Sequence, residues 1–212
     1  MFNDRQDAGQ KLAAVLAGCV PKDGLVLGIP KGGIEVGYEV ASALRLEFSV
    51  LICRKLPFPD NPESGFGAVA EDGSVHLSPR YGSWVSESKA RQIIAAQKEE
   101  IRRRALLLRG EGPGPVIRNR HVILVDDGIA MGSTMRAAIM CCRNRCAARI
   151  TVAVPVASRS AVAVIEQEAD EVVVLLTPVD FRAVADVYRN WRDVSDEEAV
   201  ALLMRARHLE RP

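Results

Sequence analysis

A parallel α/β fold is what this sequence predicts, on three observations. Five short apolar runs recur along the chain, at 25–29, 48–53, 122–125, 150–156 and 171–176. Helical patterns separate most of them, at 33–44, 133–148 and 159–169, and strands that alternate with helices form parallel sheets. The last run is valine-rich without alternation, as a strand buried on both faces should be. With 212 residues, 48% apolar and 26% charged, the chain suits one core with an elaboration and excludes disorder, collagen and a disulfide scaffold. The expectation is one domain over 1–212: a central, mostly parallel sheet with helices on both faces.

The first run, 25–29, ends in Pro30-Lys31-Gly32-Gly33, and a helix pattern follows to about residue 44. The second ends beside Arg54-Lys55. Two segments then leave the rhythm. Residues 56–85 are rich in Pro and Gly, and Asp72-Gly73 between apolar residues signals a hairpin. Residues 86–109 read as one helix, stopped by Gly110; at 1.5 Å per residue it reaches about 36 Å. Its apolar stripe is Ala90, Ile93, Ile94, Ile101, Ala105 and Leu108, with Glu99–Arg103 and Glu100–Arg104 paired four apart. Segment 56–110 therefore reads as an inserted loop, hairpin and long helix that cap the sheet. Ser195-Asp196-Glu197-Glu198 is a capping-box pattern and starts a last helix to about residue 208.

Net charge is +1, so no global field points to nucleic acid or to a basic partner. Arg102-Arg103-Arg104 reads as a solvated, salt-bridged helix face, with nucleic-acid contact the minor reading. No stretch approaches the roughly 18 apolar residues that span a bilayer, and the start Met1-Phe2-Asn3-Asp4-Arg5 turns polar at once. A cytoplasmic protein without membrane or nucleic-acid partners is expected. Five unpaired cysteines (Cys19, Cys53, Cys141, Cys142 and Cys146) fit a reducing compartment and read as small apolar side chains.

The chemistry is concentrated in Val122-Ile123-Leu124-Val125-Asp126-Asp127-Gly128-Ile129-Ala130-Met131-Gly132-Ser133-Thr134. This is a buried strand, two carboxylates, a small-residue loop and a helix start. Ligands of open α/β sheets bind beyond the carboxyl ends of strands, and a helix N-terminus there suits a phosphate. The carboxylates repel phosphate; they suit the vicinal hydroxyls of a sugar, or magnesium held mostly through water. The segment thus reads as a site for a phosphorylated sugar. Capping of the following helix is the bland alternative for the two acids.

This stretch resembles the phosphoribosyl diphosphate (PRPP) motif of type I phosphoribosyltransferases. Other segments fit that family in order, the layout including Phe2-Asn3-Asp4-Arg5-Gln6-Asp7-Ala8-Gly9 resembles a bacterial branch with a long inserted helix, and the resemblance covers about residues 20–185. Pro30-Lys31-Gly32-Gly33 resembles its pyrophosphate loop, a weak signal when taken alone, with an ordinary turn as the minor reading. Arg54-Lys55 matches its basic position for pyrophosphate, or else a solvated strand end. Segment 56–85 falls where the family carries a mobile active-site loop. The resemblance implies that Asp126 and Asp127 hold the ribose hydroxyls, directly or through magnesium. It further implies that Gly128, Ile129, Ala130, Met131, Gly132, Ser133 and Thr134 hold the 5-phosphate, and that Lys55 acts in catalysis with the two acids. An acceptor base would meet the segment after the last strand, where Asp180 can accept from it and Phe181 can stack on it; Phe181 reads equally as core. A homodimer is expected from the family and from the apolar stripe of the long helix.

Two departures from the family matter. Met131 stands where many members carry Thr, which removes one hydroxyl donor to the phosphate. Ala130 stands where enzymes for 6-oxopurines carry Asp, which argues against hypoxanthine or guanine as acceptor and leaves the base open. Two functional readings remain. One is a magnesium-dependent phosphoribosyltransferase that joins the phosphoribosyl group of PRPP to a nitrogenous base, releasing pyrophosphate, in nucleotide metabolism or salvage. The other is a regulatory protein that binds PRPP or a nucleotide without turnover, a reading that Met131 keeps open.

Overall fold

The computed structural model describes residues 1–79 and 81–206, without the side chain of Glu63. The described elements run, in order, α1 (Arg5–Leu16), β1 (Leu25–Gly28), α2 (Gly32–Leu44), β2 (Glu47–Val50), β3 (Cys53–Phe58), β4 (Asn61–Ala70) and β5 (Val75–Leu77). They continue with α3 (Glu87–Arg109), β6 (His121–Val125), α4 (Ser133–Asn144), β7 (Arg149–Val156), α5 (Arg159–Ile165), β8 (Glu171–Leu176) and α6 (Asp196–Ala206). Five strands form one sheet in the order β2-β1-β6-β7-β8, with every neighbouring pair parallel.

Alternation along the central strands divides the core in two. Val26, Ile123 and Val125 pack on one face with residues of α1, α2, α3 and α6. Leu25, Leu27, Val122 and Leu124 pack on the other with α4 and α5. The expected sheet with helices on both faces is thus found, and its strand order reverses between β1 and β6, where such sheets open a ligand crevice. Helix α1 was not among the predicted elements; its buried positions Ala8, Leu12 and Leu16 are spaced by four in a stretch whose first half is mostly polar.

The apolar run at 48–53 does not form one strand. Strand β2 ends at Val50, fully buried Leu51 and Ile52 make the crossing, and Cys53 opens a second sheet. Apolar periodicity cannot mark a turn buried as deeply as the strands it joins. Segment 56–85 is largely a built lobe: β3, β4 and β5 form an antiparallel sheet in that order. The expected hairpin is present, with Asp72 accepting from the backbone N–H of Ser74 at 2.9 Å.

Helix α3 begins where the sequence places it, with Ser86 Oγ accepting from the N–H of Lys89. Its stripe packs inward on this chain. Ala90, Ile101 and Leu108 are buried in this chain's own core, and Ile93, Ile94 and Ala105 pack against it. Arg102, Arg103 and Arg104 pair with Glu99 and Glu100, so the basic run is the salt-bridged face expected. At α6 the capping box is complete: Ser195 Oγ accepts from Glu198 N at 3.1 Å, and Glu198 Oε2 accepts from Ser195 N at 2.9 Å. The expected end at residue 208 lies outside the described residues. All five cysteines are free. Cys53, Cys141 and Cys142 are buried, and burial pushes the Cys141 thiol up to about 12. Among the described residues no helix is long and apolar enough to cross a membrane.

Candidate active site

Strand β6 lies between β1 and β7 and ends in Asp126-Asp127. The backbone then loops to α4 and is held from beneath by the end of β7. Ile129 N donates to Val156 O at 2.9 Å, Ser158 N to Ile129 O at 2.9 Å, and Ser158 Oγ–H to Ala130 O at 2.7 Å. These bonds spend the loop's carbonyls on the scaffold. The N–H groups of Ala130, Met131, Gly132, Ser133 and Thr134 have no protein partner among the described residues. Gly132, at φ +82°, supplies the left-handed turn that starts α4. The loop thus presents unpaired donors and the positive end of a helix dipole to a cleft of about 1070 Å³.

That cleft brings together much of the expected site. Asp126, Lys55 and all of Gly128, Ile129, Ala130, Met131, Gly132, Ser133 and Thr134 line it. Met131 is 85% exposed on its rim. The opposite wall comes from the antiparallel lobe and includes Phe58, Asn61, Ser64, His76 and Trp84.

The two acids part company. Asp126 faces the cleft, and its Oδ1 accepts from Asp127 N at 2.9 Å. Burial, then the neighbouring Asp127, raise its pKa well above the ordinary carboxylate range. Asp127 turns the other way. Its Oδ2 accepts from Arg5 Nε at 2.9 Å, and a Cβ on Gly32 would overlap that oxygen. Burial raises the Asp127 pKa, and Arg5 opposes the rise. Arg5 is 5% exposed and is held on every side. It bonds Glu35 of α2 at 3.3 Å and the Arg192 carbonyl at 2.7 Å, and it stacks on the Trp191 ring at 4.0 Å. Tyr188 donates from its hydroxyl to the Asp127 carbonyl at 2.6 Å. Asp127 therefore ties β6 to α1, to the start of α2 and to the segment after β8. The expectation that both acids face one site is corrected: Asp126 lines the cleft, and Asp127 is a clamp held by Arg5.

The remaining expected residues divide as well. Successive side chains of a strand point to opposite faces, so Arg54 and Lys55 cannot share a role. Lys55 lines the cleft, whereas Arg54 Nε donates to Gln97 of α3 at 3.0 Å. Burial lowers the pKa of Arg54. The turn Pro30-Lys31-Gly32-Gly33 abuts the acids: a Cβ on Gly33 would stand 2.5 Å from the Val125 carbonyl oxygen and 2.9 Å from Asp126 Cα. Lys31 Nζ pairs with Asp196 of α6 at 3.2 Å. Asp180 is exposed, and Phe181 packs with Phe2, Val187 and Tyr188 in a satellite core. From that segment Val184 lines the cleft, not Asp180 or Phe181. No cluster of three or more His, Cys, Asp or Glu side chains that could hold a metal occurs among the described residues. Magnesium in this cleft would rely on ligand oxygens and water beside Asp126.

Sequence reasoning missed Arg5, Trp84 and His76. Arg5 sits in a polar N-terminal stretch whose sequence assigns it no partner. Trp84 and His76 are isolated residues whose place depends on how the lobe folds over α4. The alternation Val75-His76-Leu77 was the one signal available, and it gives a side without saying what that side faces.

Comparison with known proteins agrees with the geometry. The family model described as phosphoribosyl transferase domain matches residues 6–188. Two Mycobacterium tuberculosis proteins, provisionally named phosphoribosyl transferases, are 40% identical over 208 residues. The match takes in 97% of this chain and 47% of each relative, so the chain spans about half their length. The crystal structure of TT1426 from Thermus thermophilus superposes with TM-score 0.81 at 39% identity, covering 97% of this chain and 98% of that one. A hypothetical protein from Neisseria gonorrhoeae, solved with bound ppGpp, shares the fold at TM-score 0.51 and 15% identity, with 97% of this chain and 94% of that one covered.

Proposed function

This chain belongs to the phosphoribosyl transferase domain family, and we propose that its cleft binds PRPP with magnesium and transfers the phosphoribosyl group to a nitrogenous base, releasing pyrophosphate. The observation that carries this reading is the pairing, in one cleft, of five unpartnered backbone N–H groups at a helix start with the Asp126 carboxylate. The N–H groups and the hydroxyls of Ser133 and Thr134 bind the 5-phosphate. Asp126 accepts from a ribose hydroxyl and so orients the sugar. Lys55 meets the charge that grows on the departing pyrophosphate. Lys31 joins it by leaving Asp196, and the N–H groups of Gly32 and Gly33 lie in the same turn. Magnesium, when bound, supplies further positive charge to the pyrophosphate oxygens. The antiparallel lobe over the cleft excludes water, which otherwise hydrolyses an activated sugar.

Binding without turnover is the second reading, and Met131 favours it, since its exposed thioether gives a phosphate no donor. A panel of bases incubated with PRPP and magnesium separates the two. Base-dependent pyrophosphate release supports the transferase; PRPP binding with no release by any base supports the regulatory protein.

A further inference from the structure

We infer that the antiparallel lobe holds the planar acceptor, with Trp84 as its stacking surface and His76 as the donor that reads its edge. This rests on the phosphoribosyl reading above, which puts a sugar phosphate in the loop at 128–134 of the same cleft.

Trp84 lines the cleft yet is 58% exposed. It is not loose. Phe58 meets its ring edge-on, with centroids 5.8 Å apart at 84°. Phe58 rests in turn on fully buried Phe66, at 5.7 Å. A chain of rings therefore runs from the core to the cleft and holds the indole with much of its surface uncovered. Large aromatic surface held rigid in a cleft suits a flat heteroaromatic ligand, because every base has a π-face.

His76 reaches the same cleft from β5. Arg136 Nη1 lies 3.1 Å from its Nε2. A guanidinium only donates, so Nε2 accepts and the ring proton sits on Nδ1. Arg136 is kept in place by Glu168, which accepts from both its Nε and its Nη2. Burial and Arg136 lower the His76 pKa against the opposing Glu168, which favours this neutral form. Nδ1–H has no protein partner among the described residues, so the cleft offers a donor to a ring nitrogen or carbonyl of the ligand.

The test compares AMP and UMP with ribose 5-phosphate, by titration calorimetry and tryptophan emission. At least one nucleotide should bind about tenfold more tightly than ribose 5-phosphate, the scale of one base–aromatic stack, and should quench emission. Trp84→Ala should remove that advantage and leave ribose 5-phosphate binding unchanged; Trp84→Phe should keep most of the affinity and lose the quenching. His76→Phe should cost the favoured nucleotide about fivefold, one hydrogen bond, and His76→Asn, whose amide N–H replaces Nδ1–H, should restore it. If neither nucleotide exceeds ribose 5-phosphate, or Trp84→Ala keeps the advantage, the inference is overturned while the phosphate site stands. If ribose 5-phosphate itself does not bind, both readings fall.

Discussion

Replacing each of the two adjacent acids by its amide should give opposite results, although the substitutions look alike in sequence. Asp127→Asn removes the charge opposite Arg5, whose side chain is 6% exposed against 16% for Asp127. Breaking a buried ion pair from one side costs roughly 3–5 kcal/mol. Arg5 keeps Glu35, the Arg192 carbonyl and Trp191, which places the loss near the lower end, at about 3 kcal/mol. For a chain of this size that is a fall in Tm of about 6–12 °C. Asp126→Asn removes a carboxylate whose charged form the fold disfavours, and its amide oxygen can still accept from Asp127 N. Its Tm should equal or exceed the parent's at pH 7. A carboxyl raised above its unfolded value near 3.9 binds its proton more readily in the folded chain. The advantage of Asp126→Asn should therefore shrink as pH is lowered from 7 toward about 4, through the raised value. Ligand binding should split the other way. Asp126→Asn should weaken PRPP binding at least tenfold, about 1.4 kcal/mol, and Asp127→Asn should weaken it less at temperatures where the variant stays folded. Thermal unfolding and calorimetric titration read both quantities. Equal Tm losses in the two variants, or undiminished PRPP affinity in Asp126→Asn, would refute the division of labour.

Four further outcomes follow from the same geometry. Met131→Thr should tighten ribose 5-phosphate binding by about 1 kcal/mol, one added hydrogen bond, and leave magnesium pyrophosphate unaffected; a looser sugar-phosphate complex would mean that Met131 packs usefully in the cleft. Asp196→Ala frees Lys31 from a partly exposed pair; it should cost less than about 1 kcal/mol of stability and strengthen pyrophosphate binding, and unchanged binding would place Lys31 outside the site. Within segment 56–85, hydrogen exchange at 59–64 and 81–84 should slow on adding PRPP, while the hairpin at 67–77 is protected throughout; high and equal protection of all three would argue against closure. A homodimer is expected whose interface avoids the stripe of α3, since that stripe is internal; light scattering that reads a monomer at micromolar concentration would remove the claim.

The sequence alone determined the parallel sheet, the long helix with its caps, and the loop that carries the acids. Each of these rests on local rules: apolar runs that must be buried, Gly110 that stops one helix and Ser195 that caps another, and glycines and small residues where a strand turns into a helix. It also put Asp126 beside the loop 128–134, because a motif of thirteen contiguous residues encodes its own strand, turn and helix start. Tertiary structure decided the rest. Asp126 and Asp127 are neighbours in sequence, and only the arrival of Arg5, 122 positions before Asp127, turns one of them away from the cleft. Arg54 and Lys55 read as one basic unit until a strand assigns them opposite faces. The far wall of the cleft, with Trp84 and His76, was illegible for the same reason. Its residues come from a lobe whose docking on α4 is a long-range packing choice, and no local pattern in the chain carries that information.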